Sequence, residues 1–181
     1  APAGGEEIFA YAPELLKRDA PLWQGRAASK LPVRVHIPKV GESYWRTLRD
    51  MGFAVEPEPL PFAAIAQRSR LLVSHGGHGF VCSGLLAGLP QVVCSYDLEK
   101  TVYARAVTKL GLGGFVPMAR IKPEAFGSSL VNLYRDDALA ARAREAAPGF
   151  HARYSKPMQQ EMGDAVGALV VQFLWDDRRY Q

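Results

Sequence analysis

Cysteine is scarce in this chain. Cys82 and Cys94 are the two among 181 residues, without the C-x-x-C spacing of a metal or redox site and too few for a disulfide framework. Both stand among apolar neighbours with no assignable His partner, so they are expected to be buried, reduced and structural, which suits a cytoplasmic protein. Long apolar runs are missing too. Nothing approaches the roughly 20 residues needed to span a bilayer, and no basic segment followed by an apolar one opens the chain, so neither a transmembrane segment nor a secretory leader is expected. Charge of one sign is in small excess, 22 Lys and Arg against 18 Asp and Glu, and it is scattered from Lys17 to Arg179 with acids interleaved. That disfavours a nucleic-acid partner, which calls for a basic stripe, and suits an anionic small molecule. Internal repeats and low-complexity segments are lacking as well. What the chain does have is 48% apolar and 22% charged residues, enough for one domain with a real core. A strand-like segment follows Ala1 almost at once, so the chain is expected to be one piece of a longer protein.

Short apolar runs alternate with stretches of helical periodicity. Ile8–Tyr11, Val33–Ile37, Phe53–Val55, Leu71–Ser74, Gln91–Cys94 and Gly114–Val116 read as six strands. Helices are expected over 14–23, 43–51, 62–69, 81–87 and 100–110. Gly52, Gly88 and Gly111 sit where helices must stop. After the sixth strand the pattern is helical over 123–135, on to Ala147, and over 157–174. Repeated βα units imply an α/β fold with a doubly wound parallel six-stranded sheet and extra C-terminal helices.

The most informative segment is His75-Gly76-Gly77-His78-Gly79-Phe80, between the fourth strand and its helix. Three glycines let backbone N–H groups approach a ligand, and the helix that follows offers its unpaired N–H groups and positive dipole end to the same place. This chemistry suits a pyrophosphate, although glycines also serve tight packing. The turn follows the fourth strand rather than the first, which disfavours a dinucleotide fingerprint, and it lacks the Gly-Lys-Ser/Thr of a Walker loop.

From His75 to Val93 the sequence resembles the donor-site signature of UDP-glycosyltransferase-like enzymes, HGGxGT followed by EAL and GxPxxxxP. These enzymes have the GT-B fold, in which two Rossmann-like domains face each other across a cleft. The likeness runs from the first strand through the helices after Pro123. It implies that residues 1–181 form a single donor-nucleotide-binding domain, the C-terminal half of a bacterial enzyme whose N-terminal acceptor-binding domain is not included. Leu60-Pro61-Phe62 is similar to the loop that contacts the nucleobase, and Glu99-Lys100 falls on the Asp-Gln pair that contacts the donor sugar. On this likeness the binding residues are Leu60, Pro61, Phe62, His75, Gly76, Gly77, His78, Gly79, Phe80, Ser83, Glu99 and Lys100. His75 would contact the pyrophosphate as a cationic or donating imidazole.

Five positions depart from the pattern. Phe80 replaces a phosphate-binding Thr, Ser83 a ribose-binding Glu, Ser95 a Pro, Glu99 an Asp and Lys100 a neutral Gln. The small residue at position 83 and the LEQ-like sugar loop resemble a divergent bacterial branch. A free Lys100 would suit an acidic sugar; a Lys100 solvated or bridged to Glu99 would not. Asp97-Leu98-Glu99 mimics a D-x-D metal motif, but no further His or carboxylate supports one, so neither a metal nor another cofactor is expected. His36 and His151 read as structural, and Trp23, Trp45 and Trp175 as core or domain-contact residues. The resemblance implies inverting, metal-independent transfer of a sugar from a UDP- or dTDP-sugar to an acceptor hydroxyl, with the catalytic base in the other half. Two alternatives remain, a nucleotide-binding module without transferase activity and a GT-B-like epimerase of nucleotide sugars.

Overall fold

The computed structural model describes residues 5–12, 24, 29–118 and 122–154. Its strands are β1 (Glu7–Tyr11), β2 (Val33–His36), β3 (Ala54–Val55), β4 (Ser69–Ser74), β5 (Gln91–Ser95) and β6 (Gly113–Pro117). The helices are α1 (Glu42–Asp50), α2 (Phe62–Arg68), α3 (His78–Leu86), α4 (Leu98–Lys109), α5 (Pro123–Arg135) and α6 (Asp137–Tyr154). All six expected strands are present within one or two residues of their expected ends. The helices expected over 14–23 and 157–174, with Trp23 and Trp175, lie outside the described residues.

All strand pairs are parallel, in the order β3-β2-β1-β4-β5-β6. The chain winds outward from β1 to β3, then returns to place β4 against the other side of β1. In such sheets the crevice beyond the carboxyl ends of the two central strands is open to ligands, because the flanking connections leave in opposite directions. Here those strands are β1 and β4, and the glycine turn sits at the end of β4.

Period-two alternation assigns side chains to the two faces. Ile8 and Ala10 of β1, Leu71 and Val73 of β4, and Val92 and Cys94 of β5 point into one core, covered by Trp45 and Leu48 of α1 and by Phe126 and Leu130 of α5. Phe9 and Leu72 point the other way, against Ile65 of α2, with Phe62, Phe80 and Ala87 partly buried over them. Helices thus cover both faces, as the βα repeats require. Each fully buried Leu or Ile contributes about 1.5–3 kcal/mol, so the sheet is held on both sides by ordinary apolar burial. Gly52, Gly88 and Gly111 take positive φ just past α1, α3 and α4, as expected of helix stops.

Two helix boundaries differ from expectation. Helix α3 begins at His78, not at Val81, because the low propensity of Gly79 matters little in a first turn that lacks ladder bonds in any case. Helix α6 does not stop at Ala147 but runs through Pro148 to Tyr154. A proline removes one ladder bond, and Ala, Arg and Glu on its N-terminal side are strong helix formers. The chain parts into two compact units, Ala1–Ala147 and Pro148–Gln181. The sheet and helices α1 to α5 belong to the first. Of the second, residues 148–154 are described, and His151 there is exposed. Among the described residues no helix is long and apolar enough to cross a membrane.

Candidate functional site

Between the end of β4 at Ser74 and the start of α3 at His78 the chain reverses through His75, Gly76 and Gly77. Gly76 is at φ +89°, and a Cβ there would lie 2.7 Å from Val93 Cγ1 and 3.2 Å from Lys100 Cβ. Both the backbone conformation and the packing therefore demand glycine. Its N–H donates to Ser74 Oγ at 3.2 Å, which fixes the start of the turn. Gly77 is the N-cap of α3, with no side chain capping the helix. The first ladder bond runs from Val81 N–H to the Gly77 carbonyl at 3.0 Å. The N–H groups of His78, Gly79 and Phe80 thus precede the ladder, at the positive end of the helix dipole. Among the described residues nothing lies within 4 Å of a Cβ built at Gly79. This is a cradle for an anion, placed at the crevice that the strand order creates.

His75 is half-buried between two tyrosine rings, Tyr11 at 5.4 Å and Tyr96 at 6.5 Å between centroids. Its Nδ1 is buried with no hydrogen-bond partner among the described residues, and its Nε2 lies 2.9 Å from where a Gly77 Cβ would stand. Burial pushes its pKa below the usual imidazole value, and the Lys100 charge adds to this. The Tyr11 backbone and the Asp97 carboxylate pull in the opposite direction. The ring is accordingly neutral near pH 7. In a neutral imidazole one ring nitrogen carries a proton and the other a lone pair.

Phe80 turns toward the sheet rather than into the cradle. Its ring stacks on Tyr11 at 5.2 Å and meets Phe62 edge-on at 5.5 Å, with Phe9 at 6.3 Å. Leu60 and Phe62 belong to the same apolar cluster, while Pro61 is exposed at the N-cap of α2 and Ser83 is half-buried in α3.

On the other side of the turn, Asp97 caps α4 by accepting the Lys100 N–H at 2.8 Å. Lys100 Nζ lies 2.9 Å from Glu99 Oε2 and 3.4 Å from Asp97 Oδ2. The Glu99 bond and the neighbouring charges raise the Lys100 pKa, and the Lys100 N–H and ammonium lower that of Asp97. The free cation that would have suited an acidic sugar is therefore replaced by the bridged one. Among the described residues no group of three or more His, Cys, Asp or Glu could hold a metal.

The cysteines need a correction. Neither cysteine is in a disulfide among the described residues, but Cys82 is half-buried and its Sγ lies 3.3 Å from His78 Nε2. The partner went unseen because the earlier helix start is what sets residues 78 and 82 one turn apart on the same face. His78 itself is exposed, with its ring 5.3 Å from that of Tyr103.

Contacts tie the turn to Phe62 through Phe80 and to Lys100 through Gly76, so the two expected flanks of the site do converge on it. Two residues, Tyr11 and Tyr96, went unnoticed in the sequence, and His36, expected to be structural, stands beside them. His36, Tyr11 and Tyr96 stand at or just beyond the carboxyl ends of β2, β1 and β5. His36 stacks on Tyr11 at 5.9 Å and 9°, and its Nδ1 donates to the Glu56 carbonyl at 2.8 Å. His36 is buried, as expected of a structural histidine, yet it abuts the site. The usable signal was position, since the last residue of each parallel strand faces the crevice. An apolar groove of about 310 Å³ between β5, β6 and α5, lined by Phe115, Val116, Phe126 and Leu133 among others, shares no residue with the turn.

Comparison with known proteins agrees with this geometry. The chain is 24% identical over 140 residues to the NDP-glycosyltransferase YjiC of Bacillus subtilis (strain 168), a match taking in 70% of this chain and 33% of that protein. It is 30% identical over 84 residues to the 10-deoxymethynolide desosaminyltransferase of Streptomyces venezuelae, covering 46% of this chain and 20% of the relative. The chain thus spans a third or less of these relatives. In fold it is similar to glycosyltransferase VinC, solved in complex with dTDP, with a TM-score of 0.66 at 17% identity over 84% of this chain and 39% of that one. The expected α/β architecture is borne out. Residues 46–169, which include every candidate binding residue, match the model of the erythromycin biosynthesis protein CIII-like C-terminal domain, and the chain belongs to that family.

Proposed function

We propose that this chain is the donor-binding part of a glycosyltransferase, that it holds a UDP- or dTDP-sugar, and that the sugar is transferred with inversion to an acceptor hydroxyl. The observation that carries the reading is the cradle. Gly76 and Gly77 bring the leading N–H groups of α3 to the carboxyl end of β4, where a diphosphate would lie. The solved relative in complex with dTDP supports a nucleotide diphosphate as the ligand.

In the transfer, the acceptor oxygen bonds to the anomeric carbon while the bond from that carbon to the phosphate oxygen breaks. The departing diphosphate keeps the electron pair. Backbone N–H groups and a helix dipole aimed at the growing negative charge stabilise it without reorganising, and the neutral His75 adds one donor. These groups meet the charge themselves, so the proposed step is metal-independent. The acceptor site and the base that takes the acceptor proton are assigned to an N-terminal domain of the same parent protein. Residues 1–181 serve as its donor-binding domain. Its relatives leave room for such a partner, since the chain covers 33% of the Bacillus subtilis protein.

Titration of the 181-residue chain with UDP, dTDP and GDP, followed by amide shifts in NMR, tests the proposal. UDP or dTDP is expected to move the amides of Gly77 to Phe80 at sub-millimolar concentration. Silence toward all three at millimolar concentration would overturn it.

A further inference from the structure

Rings line the carboxyl ends of four neighbouring strands in spatial order: His36 from β2, Tyr11 from β1, His75 from β4 and Tyr96 from β5. Phe80 and Phe62 join this row at Tyr11. Phe62 and Tyr96 therefore stand on opposite sides of His75. If the diphosphate rests on the α3 N-terminus and the base lies toward Leu60 and Phe62, the remaining part of the donor points past His75 to Tyr96.

Polar groups at that end are already engaged. Lys100 is bridged to Asp97 and Glu99, Asp97 caps α4, and Ser95 Oγ is 2.9 Å from Thr101 Oγ1. Tyr96 is different. The residue is 43% exposed, and its ring is within 23° of parallel to that of His75, with 6.5 Å between centroids. The imidazole runs nearly parallel to this ring, and enough of the residue is exposed among the described residues for a ligand to reach it. An aromatic face carries negative quadrupole potential and attracts polarised C–H bonds. A pyranose with equatorial hydroxyls offers such C–H bonds on its faces.

Building on the donor reading above, we infer that Tyr96 is the platform on which the transferred sugar stacks, and that it favours a glucose-configured ring over one with axial hydroxyls turned toward it. With the Lys100 ammonium already bridged to Asp97 and Glu99, stacking rather than ion pairing distinguishes the sugar end from the nucleotide end.

Affinities of the 181-residue chain for UDP, UDP-glucose, dTDP and dTDP-glucose, measured for wild type, Tyr96→Ala and Tyr96→Phe, test this. Tyr96→Ala is expected to weaken the sugar-bearing ligands by about three- to tenfold while UDP and dTDP change by less than about twofold, and Tyr96→Phe restores the sugar affinity. A transferred nuclear Overhauser effect from the Tyr96 ring to pyranose protons in wild type provides a reading independent of any variant's folding. An equal loss for UDP and UDP-glucose, an unchanged sugar affinity in Tyr96→Ala, or no ring-to-sugar effect would overturn the platform. Failure of wild type to bind UDP and dTDP would instead overturn the donor reading on which it rests.

Discussion

Asp97 holds Lys100 from two directions: Oδ1 accepts its backbone N–H at 2.8 Å, and Oδ2 lies 3.4 Å from its Nζ, with Glu99 Oε2 on the ammonium at 2.9 Å. Two carboxylates against one ammonium leave this corner with a net charge of −1. A uronic acid brought here by its nucleotide would meet repulsion, not a salt bridge. Wild type is therefore expected to prefer UDP-glucose to UDP-glucuronate. Glu99→Gln should narrow that preference by about two- to fivefold at low salt, the gain fading as salt screens this exposed pair. A preference ratio that Glu99→Gln leaves unchanged in about 20–50 mM salt, where the Debye length is about 14–21 Å, would reject the charge account.

His75 predicts a pH dependence of stability. Its pKa in the folded chain is depressed, chiefly by burial. The unfolded chain therefore binds the proton more readily, and stability rises with pH across the interval between the two values. The sign is the reverse of a histidine stabilised by an acid. Full stability is reached above the ordinary value of about 6.5, and it falls as the pH drops below that. His75→Gln should flatten the dependence of melting temperature on pH between about 7 and 5. The depressed carboxyls of Glu7 and Asp97 act at lower pH and do not obscure this window. Parallel slopes for wild type and His75→Gln would refute it.

Two glycines in the same turn should respond unequally to alanine. At Gly76 the positive φ and the 2.7 Å approach to Val93 Cγ1 both oppose a Cβ, so Gly76→Ala is expected to cost about 1–3 kcal/mol. At Gly79 there is open space and a helical backbone, so Gly79→Ala should change stability by less than about 0.5 kcal/mol. Denaturant titration of both variants decides the matter, and equal destabilisation would mean that the turn is not built as described.

The sheet was legible because each strand is a short apolar run between helical periods, and even the two-residue β3 announced itself through Phe53-Ala54-Val55. The turn was legible because glycines carry a conformational meaning that needs no partner. Tyr11 and Tyr96 were not, nor was the place of His36 beside them, because what brings these rings to His75 is the lateral pairing of strands, above all that of β1 with β4, which are not consecutive in sequence. The bridging of Lys100 was one of two stated alternatives, and side-chain geometry alone chose between them. The Cys82–His78 contact was missed through a three-residue error in where α3 begins.

Phe80 offers the sharpest test of how an anion would be held. Its N–H is one of the groups ahead of the α3 ladder, whereas its ring packs on Tyr11, Phe9 and Phe62. Backbone and side chain thus have separable duties. Phe80→Thr keeps the N–H and removes the ring from a half-buried cluster, a loss of about 1–3 kcal/mol of stability at a site that is not fully enclosed. Thr also adds a hydroxyl at the third helical position, within the first turn. If the diphosphate rests on backbone N–H groups, UDP affinity measured well below the variant's melting temperature should fall by less than about threefold, or rise, despite the lost stability. A tenfold or greater loss of UDP affinity in a variant shown by NMR to remain folded would mean that the Phe80 ring itself contacts the nucleotide.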